Sequence, residues 1–451
     1  MSSELRKLWE HAGGQLPDEW SVVPLESLLR DNKSIAVGVM YPGPDTPGGT
    51  PLLKVGDIKG GVARRPSYCI SAETDEEHKR TKLVGDELLI TLVGNPGECI
   101  VVRPEMAGWN PARAIAVVRL QDPSLRTYLK TVLESTAGRH LIDAVLNTTV
   151  QKTLNLKDVR KLPIPLPTDA EIKGISSISE ALTNRIALLR ETNATLETIV
   201  QALFKSWFVD FDPVRARMEG RTPEGMDEAT AALFPDGFEE SALGLVPREW
   251  RVGTLGEHTS YLNRGISPKY IEDGGIIVIN QKCIRDFSLD LSKARRHDPG
   301  QRKIDGRELL KGDILVNSTG VGTLGRVAQV LSLENPAIVD SHVTVMRAGA
   351  SLTWNYLGLL VMRWQAEIEG MGEGSTGQTE LSRGKLAILK LLIPSAKVLQ
   401  EFDEVALPLR ERFAANQKQA QTLATLRDSL LPRLISGQLR LPETTTLLEA
   451  V

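Results

Sequence analysis

Cysteine, histidine and aromatic residues are scarce in this sequence. Its 451 residues include three cysteines and six histidines, and only 5% are aromatic. Cys69, Cys99 and Cys283 form no CxxC pair, and the histidines show no HExxH spacing typical of a zinc site. We therefore expect neither a disulfide framework nor a metal site, and predict three buried thiols in a reducing compartment.

Long apolar runs and an excess of one charge are also missing. No stretch approaches the roughly 18 apolar residues of a membrane helix, and the polar N-terminus MSSELRKLWEHAGG lacks the apolar region of a signal peptide. The 54 basic residues stand against 57 acidic ones, giving a net charge of −3. This balance argues against a small, highly basic nucleic-acid binder but leaves room for local basic patches.

The sequence does contain an internal repeat. The stretch LETIVQALFKSWFVDFDPVRARMEG includes a helix ending that recurs more weakly near the C-terminus as LATLRDSLLPRLISGQL. Leu196 and Leu203 reappear as Leu423 and Leu430, 227 residues further along. In a chain long enough for two or three domains, this offset indicates two similar halves.

Each half combines the signals of strands and helices. The β-branched run DELLITLVG of the first half corresponds to KGDILVNSTGVG of the second, and Gly- and Pro-rich loops precede both. PDEW and PREW open the two halves. The expected fold class is α+β, with two similar mixed α/β domains.

Two amphipathic segments predict long helices near residues 171–208 and 397–436. Apolar side chains recur in both every seven residues, as in a coiled coil. The first series is Ile175, Leu182, Leu189, Leu196 and Leu203, with Ile178 and Ile199 at the second apolar position; the other is Phe402, Leu409, Asn416, Leu423 and Leu430, with Val405 and Leu426. We expect an antiparallel pair that separates the two domains about a pseudo-two-fold axis. Asn416 is of the polar kind that fixes helix register.

The expected organisation alternates domain and helix. Residues 1–165 form the first domain, 166–244 the first long helix and a linker, 245–394 the second domain, and 395–451 the second long helix and tail. Within the linker, residues 210–245 are acidic and contain three prolines. This composition predicts a segment on the surface rather than a third core.

The segments ALFKSWFVDFDPVRAR, EGMDEATAALFPDGFEESALGLVPREW and SLLPRLISGQL resemble the specificity (S) subunit of type I restriction–modification systems. The resemblance covers essentially the whole chain. It implies a non-catalytic subunit in the cytoplasm of a prokaryote, with one target-recognition domain in each half. Such a subunit reads a bipartite, asymmetric sequence in double-stranded DNA. It docks two modification subunits, which methylate adenine with S-adenosylmethionine, and two restriction subunits, which use ATP and Mg²⁺; no cofactor is expected on this chain.

The motif GVGTLG, with Gly320, Gly322 and Gly325, matches the G-x-G-x-x-G pattern of nucleotide-binding loops. Such a site needs a helix after the loop, whereas RVAQVLSL alternates like a strand. A tight turn, or a loop whose backbone approaches DNA, is the favoured interpretation. DFDPV and NPAI lack the second proline and the aromatic residue of an adenine-methylating tetrad, so we predict that the chain is no enzyme by itself.

Base reading requires forked or bidentate side chains on exposed loops. The candidates in the first domain are Tyr41, Lys54, Asp57, Lys59, Asn95, Arg113 and Gln151; those in the second are Arg264, Lys269, Tyr270, Gln281, Lys282, Asn317, Ser318, Thr319, Arg326, His342, Thr376 and Gln378. Each could instead be an ordinary solvated loop residue. The pairs at 64–65, 295–296 and 302–303 are basic and suit phosphate contacts.

The aromatic cluster Phe204, Trp207, Phe208 and Phe211 ends the first long helix. It suits either core packing against the linker or a docking surface for a modification subunit. Two rival functions stay open for the whole chain. One is a stand-alone DNA-binding protein without modification partners, and the other is a nucleotide- or S-adenosylmethionine-dependent enzyme that uses GVGTLG.

Overall fold

A computed structural model describes residues 2–59, 61–147, 152–373 and 379–441. They form two compact units: unit 1 comprises the residues up to 188 together with those from 419 onward, and unit 2 comprises residues 189–418. Each unit has its own hydrophobic cores. Across the described ranges, no helix is both long and apolar enough to cross a membrane.

Unit 1 is built on a four-stranded antiparallel sheet. In chain order the helices and strands are α1 (Ser2–Gly13), β1 (Ser21–Pro24), β2 (Ile35–Val37), β3 (Thr50–Leu53), β4 (Ile58–Lys59), β5 (Val62–Ala63), β6 (Cys69–Ile70), α2 (Ala72–Glu77), β7 (Glu87–Thr91), β8 (Cys99–Val101), β9 (Asn110–Pro111), β10 (Ile115–Arg119), α3 (Arg126–Glu134), α4 (Thr136–Ala144), α5 (Leu156–Lys161), β11 (Pro163–Leu166) and the long helix α6 (Asp169–Lys205). The sheet has the order β2-β10-β7-β8. Strand β7 is buried throughout because Leu88 and Ile90 enter one core while Leu89 enters another on the opposite face.

Unit 2 contains a second four-stranded sheet of order β15-β24-β21-β22. Its helices and strands, after the C-terminal part of α6, are α7 (Asp212–Met218), α8 (Glu228–Ala232), β12 (Phe238–Ser241), β13 (Gly244–Pro247), β14 (Arg251–Thr254), α9 (Leu255–His258), β15 (Thr259–Arg264), β16 (Tyr270–Ile271), β17 (Ile276–Ile279), β18 (Ile284–Arg285), β19 (Ser288–Leu289), β20 (Arg295–His297), β21 (Ile314–Asn317), β22 (Val327–Gln329), β23 (Ala337–Val339), β24 (Val343–Ala348), α10 (Trp354–Arg363), α11 (Gln365–Glu369), α12 (Arg383–Ala387), β25 (Lys390–Ile393) and the long helix α13 (Ala396–Ile435).

The two units use the same strand order. The sheet β6-β3-β9 of unit 1 corresponds to β20-β17-β23 of unit 2, and the outer partner of each central strand, β9 or β23, runs parallel to it. The two-stranded pairs β1-β11 and β14-β25 also correspond. The mixed α/β content expected from the sequence is therefore confirmed.

A buried ion pair supports the central sheet of each unit. In unit 1 the fully buried Glu87 binds Arg119 at 2.8 Å and accepts hydrogen bonds from three preceding backbone N–H groups. In unit 2 the fully buried Asp313 binds Arg347 through two contacts of 2.7 Å. Both carboxylates stand at the start of the central strand, where bidentate and backbone hydrogen bonds offset the loss of hydration.

A buried tyrosine closes each unit in the same way. Tyr128 donates its hydroxyl hydrogen to the Pro165 carbonyl at 2.7 Å, and Tyr356 donates to the Leu392 carbonyl at 2.8 Å. Burial raises the pKa of both hydroxyls, because the phenolate would lose its hydration. Each bond ties a helix to the strand that precedes a long helix.

The two predicted long helices are present as α6 and α13, of 37 and 40 residues. The buried stripe differs from the predicted one, because Ile199 and Val405 are 42% and 48% exposed. Along the series that begins at Ile175, the second buried position of each repeat instead lies four residues after the first. These buried residues are Ser179, Ile186, Asn193 and Val200. Positions i+3 and i+4 lie on the same helix face. Because the apolar Ile178 lies three residues after Ile175, the sequence favoured position i+3, whereas the structure buries position i+4.

Within unit 2 the two long helices are joined by a pair of asparagines. Asn416, 2% exposed, donates from Nδ2 to Asn193 Oδ1 at 3.0 Å. Asn193 in turn donates to the Phe413 carbonyl at 3.0 Å. A shift of one helix against the other would leave these buried amides without partners, so the pair favours a single register.

The segment after α6 lies mostly on the surface, as its composition predicted, but a few of its side chains enter the core of unit 2. A wide turn at Ser206–Asp210 follows helix α6, and Phe211 adopts a φ of 58° before α7 begins at Asp212. Val214 and Phe234 are then buried in the core of unit 2. The prolines shape turns between short elements, and the few apolar residues between the acids complete that core.

The three cysteines are free thiols, and one departs from the prediction. Cys99 and Cys283 are buried, and burial raises the pKa of both thiols. Cys69 is only partly buried. Its short strand β6 lies at the edge of a sheet, which leaves one side of the residue open.

A polar network fixes α13 to the body of unit 2. Arg410, 7% exposed, donates to Asn355 Oδ1 at 2.6 Å and to Gln329 Oε1 at 2.7 Å. Asn355 also donates to Asp403 Oδ1 at 2.9 Å. Burial lowers the pKa of Arg410 to about 10 and raises the pKa of Asp403, so both charges depend on their partners.

Replacing Arg410 with alanine should destabilise unit 2 by about 3 kcal/mol, because two buried amide oxygens and a partly buried carboxylate lose their partner. Arg412→Ala, two residues along the same helix and exposed, is the matched control and should change stability by less than about 0.5 kcal/mol. Urea unfolding followed by tryptophan fluorescence compares them. Equal midpoints for the two variants would contradict the role of this network.

Candidate nucleic-acid interface

Several predicted contact residues of unit 2 meet beyond the end of strand β21. Thr319 and His342 are joined by a 2.8 Å hydrogen bond between Oγ1 and Nδ1. The chain segment at 380–381 lies beside them, since Thr319 bridges to Glu380 and the Leu381 N–H donates to the Ser318 carbonyl at 2.8 Å. Thr319 is half-buried and His342 is exposed. The interface is therefore formed by loops held on a rigid sheet.

The GVGTLG loop is a tight turn between two strands. Gly320, Gly322 and Gly325 have φ values of 108°, 70° and 81°, which only glycine adopts readily. A Cβ on Gly325 would lie 2.7 Å from the Glu369 backbone, so the third glycine also allows close packing. Strand β22 follows the loop, as its alternation predicted, and the loop lacks the following helix that a dinucleotide site uses.

The prediction is wrong for Asn317 and Ser318, which have no exposed surface. Asn317 donates from Nδ2 to the carbonyls of Gln281 and Thr323, both at 3.1 Å. The Ser318 hydroxyl bonds Thr344 Oγ1 at 2.5 Å. Through these hydrogen bonds both side chains hold the neighbouring backbone and side chains in place, and neither is accessible to a ligand. The motif NSTG made them look like an exposed loop, whereas Asn317 is the last residue of the buried strand β21 and Ser318 follows it directly.

Three other candidates of unit 2 are held by their neighbours. Arg264 forms an ion pair with Glu380 and donates to the Leu381 carbonyl at 2.8 Å. Arg326 donates to the Gly322 carbonyl at 2.8 Å, which braces the glycine loop. Gln281 is half-buried beside the same loop. These side chains are positioned, which suits recognition because little rotamer freedom remains to be lost.

A second group of candidates lies at strands β16 and β20. Tyr270 is 38% exposed, and the Arg295 guanidinium stacks 3.3 Å from its ring centroid. Lys269 and Lys282 are exposed. Of the basic pairs suggested for phosphate contact, Arg302 donates to the Ser267 carbonyl at 2.9 Å. The flat aromatic–guanidinium stack can contact a base, and the exposed Lys269 next to it in the chain can contact the DNA backbone.

The candidates of unit 1 also lie on turns and loops next to strands, but their side chains differ from those of unit 2. Tyr41 is 81% exposed, and Arg113 is exposed on a neighbouring turn whose backbone N–H bonds the Val39 carbonyl at 2.9 Å. The Lys54 ammonium lies 3.3 Å from the ring centroid of Tyr68. Lys54 directly follows strand β3 and Tyr68 directly precedes β6, its neighbour in the sheet, so the cation–π pair joins the ends of two adjacent strands.

Two further candidates of unit 1 have local partners. Asp57 accepts the Lys54 backbone N–H at 2.8 Å and caps a short turn, so its carboxylate is partly committed to the fold. Asn95 is exposed and donates to Glu98 Oε2 at 3.1 Å. Gln151, Thr376 and Gln378 lie outside the described residues, as does the side chain of Lys59.

The aromatic residues assigned to partner docking require a correction. Phe204, Trp207 and Phe208 are 1%, 6% and 6% exposed. They pack inside unit 2, with Phe208 5.0 Å from Phe402 between ring centroids. Phe211 is partly buried against Trp250 at 6.0 Å. The core-packing interpretation applies, because buried side chains present almost no surface to another subunit.

Sequence reasoning missed two arginines beside these loops. Arg307 and Arg383 line a cavity of about 720 Å³ together with Asn263, Arg264, Glu380 and Ser382. We call it the arginine cavity. Both missed residues are exposed and isolated in the sequence, where no basic pair or motif marks them. Only the folded chain brings them together. Among all the described residues, including those of this cavity, no group of three or more potential metal ligands is found.

The contrast between Asn317 and Thr319 can be tested by stability alone. Asn317→Ala should lower the free energy of unfolding by about 2 kcal/mol, because two buried carbonyls lose their donor. Thr319→Ala should stay within about 0.5 kcal/mol of the parent protein, since its hydroxyl bonds an exposed histidine. Thermal unfolding of both variants measures the difference, and a smaller loss for Asn317→Ala would contradict its structural role.

Comparison with known proteins agrees with this architecture, although no family model matches the chain. The specificity subunit of the type I restriction enzyme HindI from Haemophilus influenzae is 25% identical over 363 residues, which cover 69% of this chain and 74% of that subunit. The MjaIX specificity subunit of Methanocaldococcus jannaschii is 22% identical over 63% of this chain and 62% of its own length. The EcoBI specificity subunit of Escherichia coli is 28% identical over 51% of this chain and 50% of its own length.

The fold gives an independent comparison. The crystal structure of a type I restriction–modification S subunit from M. genitalium superposes with a TM-score of 0.55, at 16% identity, over 94% of this chain and 98% of that one. Sequence relatives and the shared fold thus agree with the resemblance noted from the central and C-terminal segments. The chain is similar in sequence to the specificity subunits of type I restriction enzymes and similar in fold to an S subunit of such a system.

Proposed function

We propose that this chain is the DNA-sequence specificity subunit of a type I restriction–modification complex. The observation that carries the proposal is the similarity to the HindI specificity subunit across 69% of the chain. The loops of both units, held on rigid sheets and furnished with Tyr41, Arg113, Thr319 and His342, are suited to reading DNA. Purifying the chain with its host's modification subunits and mapping methylated adenines in the genome would test it.

We propose further that the target is bipartite and asymmetric, with one half-site for each unit. The shared strand order of the two sheets supports an internal repeat and therefore two readers. Their loops carry different side chains, such as the Lys54–Tyr68 pair in unit 1 and the Arg295–Tyr270 pair in unit 2. Different contact groups select different bases, so the two half-sites should differ.

The proposed spacer between the half-sites is set by α6 and α13, acting as an antiparallel pair. In unit 1, Ile175 of α6 shares a core with Leu434 of α13. In unit 2, Phe204 shares a core with Phe402. The early part of one helix is thus paired with the late part of the other in each unit, which supports the antiparallel arrangement.

In this proposal the chain places DNA and its partners supply the chemistry. Two modification subunits would carry S-adenosylmethionine and methylate one adenine in each half-site, after flipping it from the duplex. Two restriction subunits would carry ATP and Mg²⁺. The strand that follows GVGTLG supports a chain without a nucleotide site of its own. A stand-alone DNA-binding protein is the second candidate, and failure to co-purify with any methyltransferase would favour it.

Exchanging residues 245–394 for the corresponding part of another specificity subunit should change one half-site and leave the other intact. The physical reason is that each unit holds its own cores and contact loops. Methylated adenines in cells that express the hybrid give the readout. The reciprocal exchange in unit 1 is the control, and a change in both half-sites after either exchange would contradict two separate readers.

Inserting seven residues after position 188 in α6 and seven after 418 in α13 should lengthen the spacer by about three base pairs. Each insertion adds roughly 10.5 Å of helix at 1.5 Å per residue, against about 3.4 Å per base pair. Insertions of five residues at the same places are the control, because they rotate the buried stripe out of register. A spacer unchanged by the seven-residue insertions would show that the helices do not set it.

A further inference from the structure

The arginine cavity of unit 2 has an excess of positive charge. Its cations are Arg264, Arg307 and Arg383, and its carboxylates are Glu373 and Glu380. Both carboxylates are already neutralised. Glu380 is ion-paired with Arg264, and Glu373 binds Lys385 at 2.6 Å. A further anion entering the cavity would therefore meet two arginines and no uncompensated carboxylate among the described residues.

The two remaining arginines keep donor groups available. Within the described residues, the side chain of Arg307 donates through Nη1 alone, to the carbonyls of Arg264 and Gly265 at the long distances of 3.3 and 3.4 Å. Among the same residues, the side chain of Arg383 donates through Nη1 alone, to Asn263 Oδ1. In the part of the chain that the structure describes, neither has a carboxylate partner. These contacts orient each guanidinium while Nε and Nη2 remain open for a planar, bidentate acceptor.

A third donor in the wall is unsatisfied. The Nε of Arg264 is buried and has no hydrogen-bond partner within the described residues. Leaving such a group unpaired is unfavourable, and more so for a charged group. An acceptor oxygen or a bridging water in the cavity would relieve it. The cavity thus combines free charge with an incomplete hydrogen-bond set.

The cavity also adjoins the loops proposed to contact DNA. Its wall residue Glu380 bridges to Thr319, which bonds His342. Another residue of the cavity wall, Arg264, is the last residue of strand β15, which belongs to the four-stranded sheet of unit 2. A duplex read by Thr319 and His342 would have a backbone phosphate within reach of a neighbouring cavity, since phosphates flank every base step.

We infer that the arginine cavity is a phosphate-binding site for the DNA backbone, in which Arg307 and Arg383 hold one phosphodiester of the second half-site. This inference rests on the proposed function and identifies two residues that contribute affinity and placement. Arginine–phosphate contacts of this kind carry no base information, so they act equally on all sequences.

The test uses the complex of the full chain with its modification subunits and two duplexes of equal length, with and without the mapped target. The double substitution R307A/R383A should weaken binding of both duplexes by about tenfold at low salt, as expected for lost charge-assisted hydrogen bonds. It should also reduce the slope of log Kd against log salt concentration by about 1. The ratio of the two affinities should stay constant.

Two variants control for folding and for charge. Arg251→Ala removes an exposed arginine on β14, outside the cavity, and should leave the affinity and the salt slope unchanged. R307K/R383K keeps the charge but loses the planar fork, so it should retain most of the slope while losing part of the affinity. If R307A/R383A fails to co-purify with its partners, the test relies on R307K/R383K alone. The inference would then be overturned if R307K/R383K bound DNA with the same affinity as the parent complex.

An unchanged salt slope for R307A/R383A would overturn the phosphate site, as would a loss confined to the target duplex. In either case the parent complex would still discriminate between the two duplexes, and the proposed function would stand. If the parent complex bound both duplexes equally and methylated neither, the proposed function itself would fail. The parent measurement thus separates the two conclusions.

Discussion

The burial of one apolar stripe along each long helix is the constraint on which the rest of the structure depends. The two helices have 37 and 40 residues, and leaving such a stripe exposed to water would be unfavourable. Burying one Leu or Phe side chain stabilises the fold by roughly 1.5–3 kcal/mol. Each unit buries its share by packing parts of both helices against a globular core. The Asn193–Asn416 pair then selects the register, because buried amides tolerate few alternatives.

Buried contacts within each unit also explain how the contact loops can differ between units that share the same sheets, which we call the frame. Glu87–Arg119 and Asp313–Arg347 brace the start of the central strands, while Tyr128 and Tyr356 close the far side of each unit. In unit 2, Asp313 precedes strand β21, whereas the loop that carries Thr319 follows the opposite end of that strand. The frame is thus stabilised independently of the loops, and contact residues can differ between the units without loss of the fold.

Sequence reasoning succeeded where a pattern is local. Heptad spacing predicted α6 and α13 to within a few residues, and strand alternation after GVGTLG predicted β22. It failed where exposure depends on the rest of the fold. Asn317 and Ser318 were predicted as loop residues but are buried beneath the loops, and the sequence left open whether Phe208 fills a core or docks a partner, whereas it fills a core. Polarity alone does not tell a solvated side chain from one that is satisfied internally.

By itself, the sequence determined the mixed α/β content, the two long helices and the similarity to type I specificity subunits. Periodicity and repeat offset are properties of residues close in the chain, or copied along it, and therefore survive without coordinates. Only the tertiary structure decided which position pairs with Asn416, which polar residues are buried, and which arginines meet in one cavity. Arg264, Arg307 and Arg383 are separated by 43 and 76 residues, and no local pattern records their convergence.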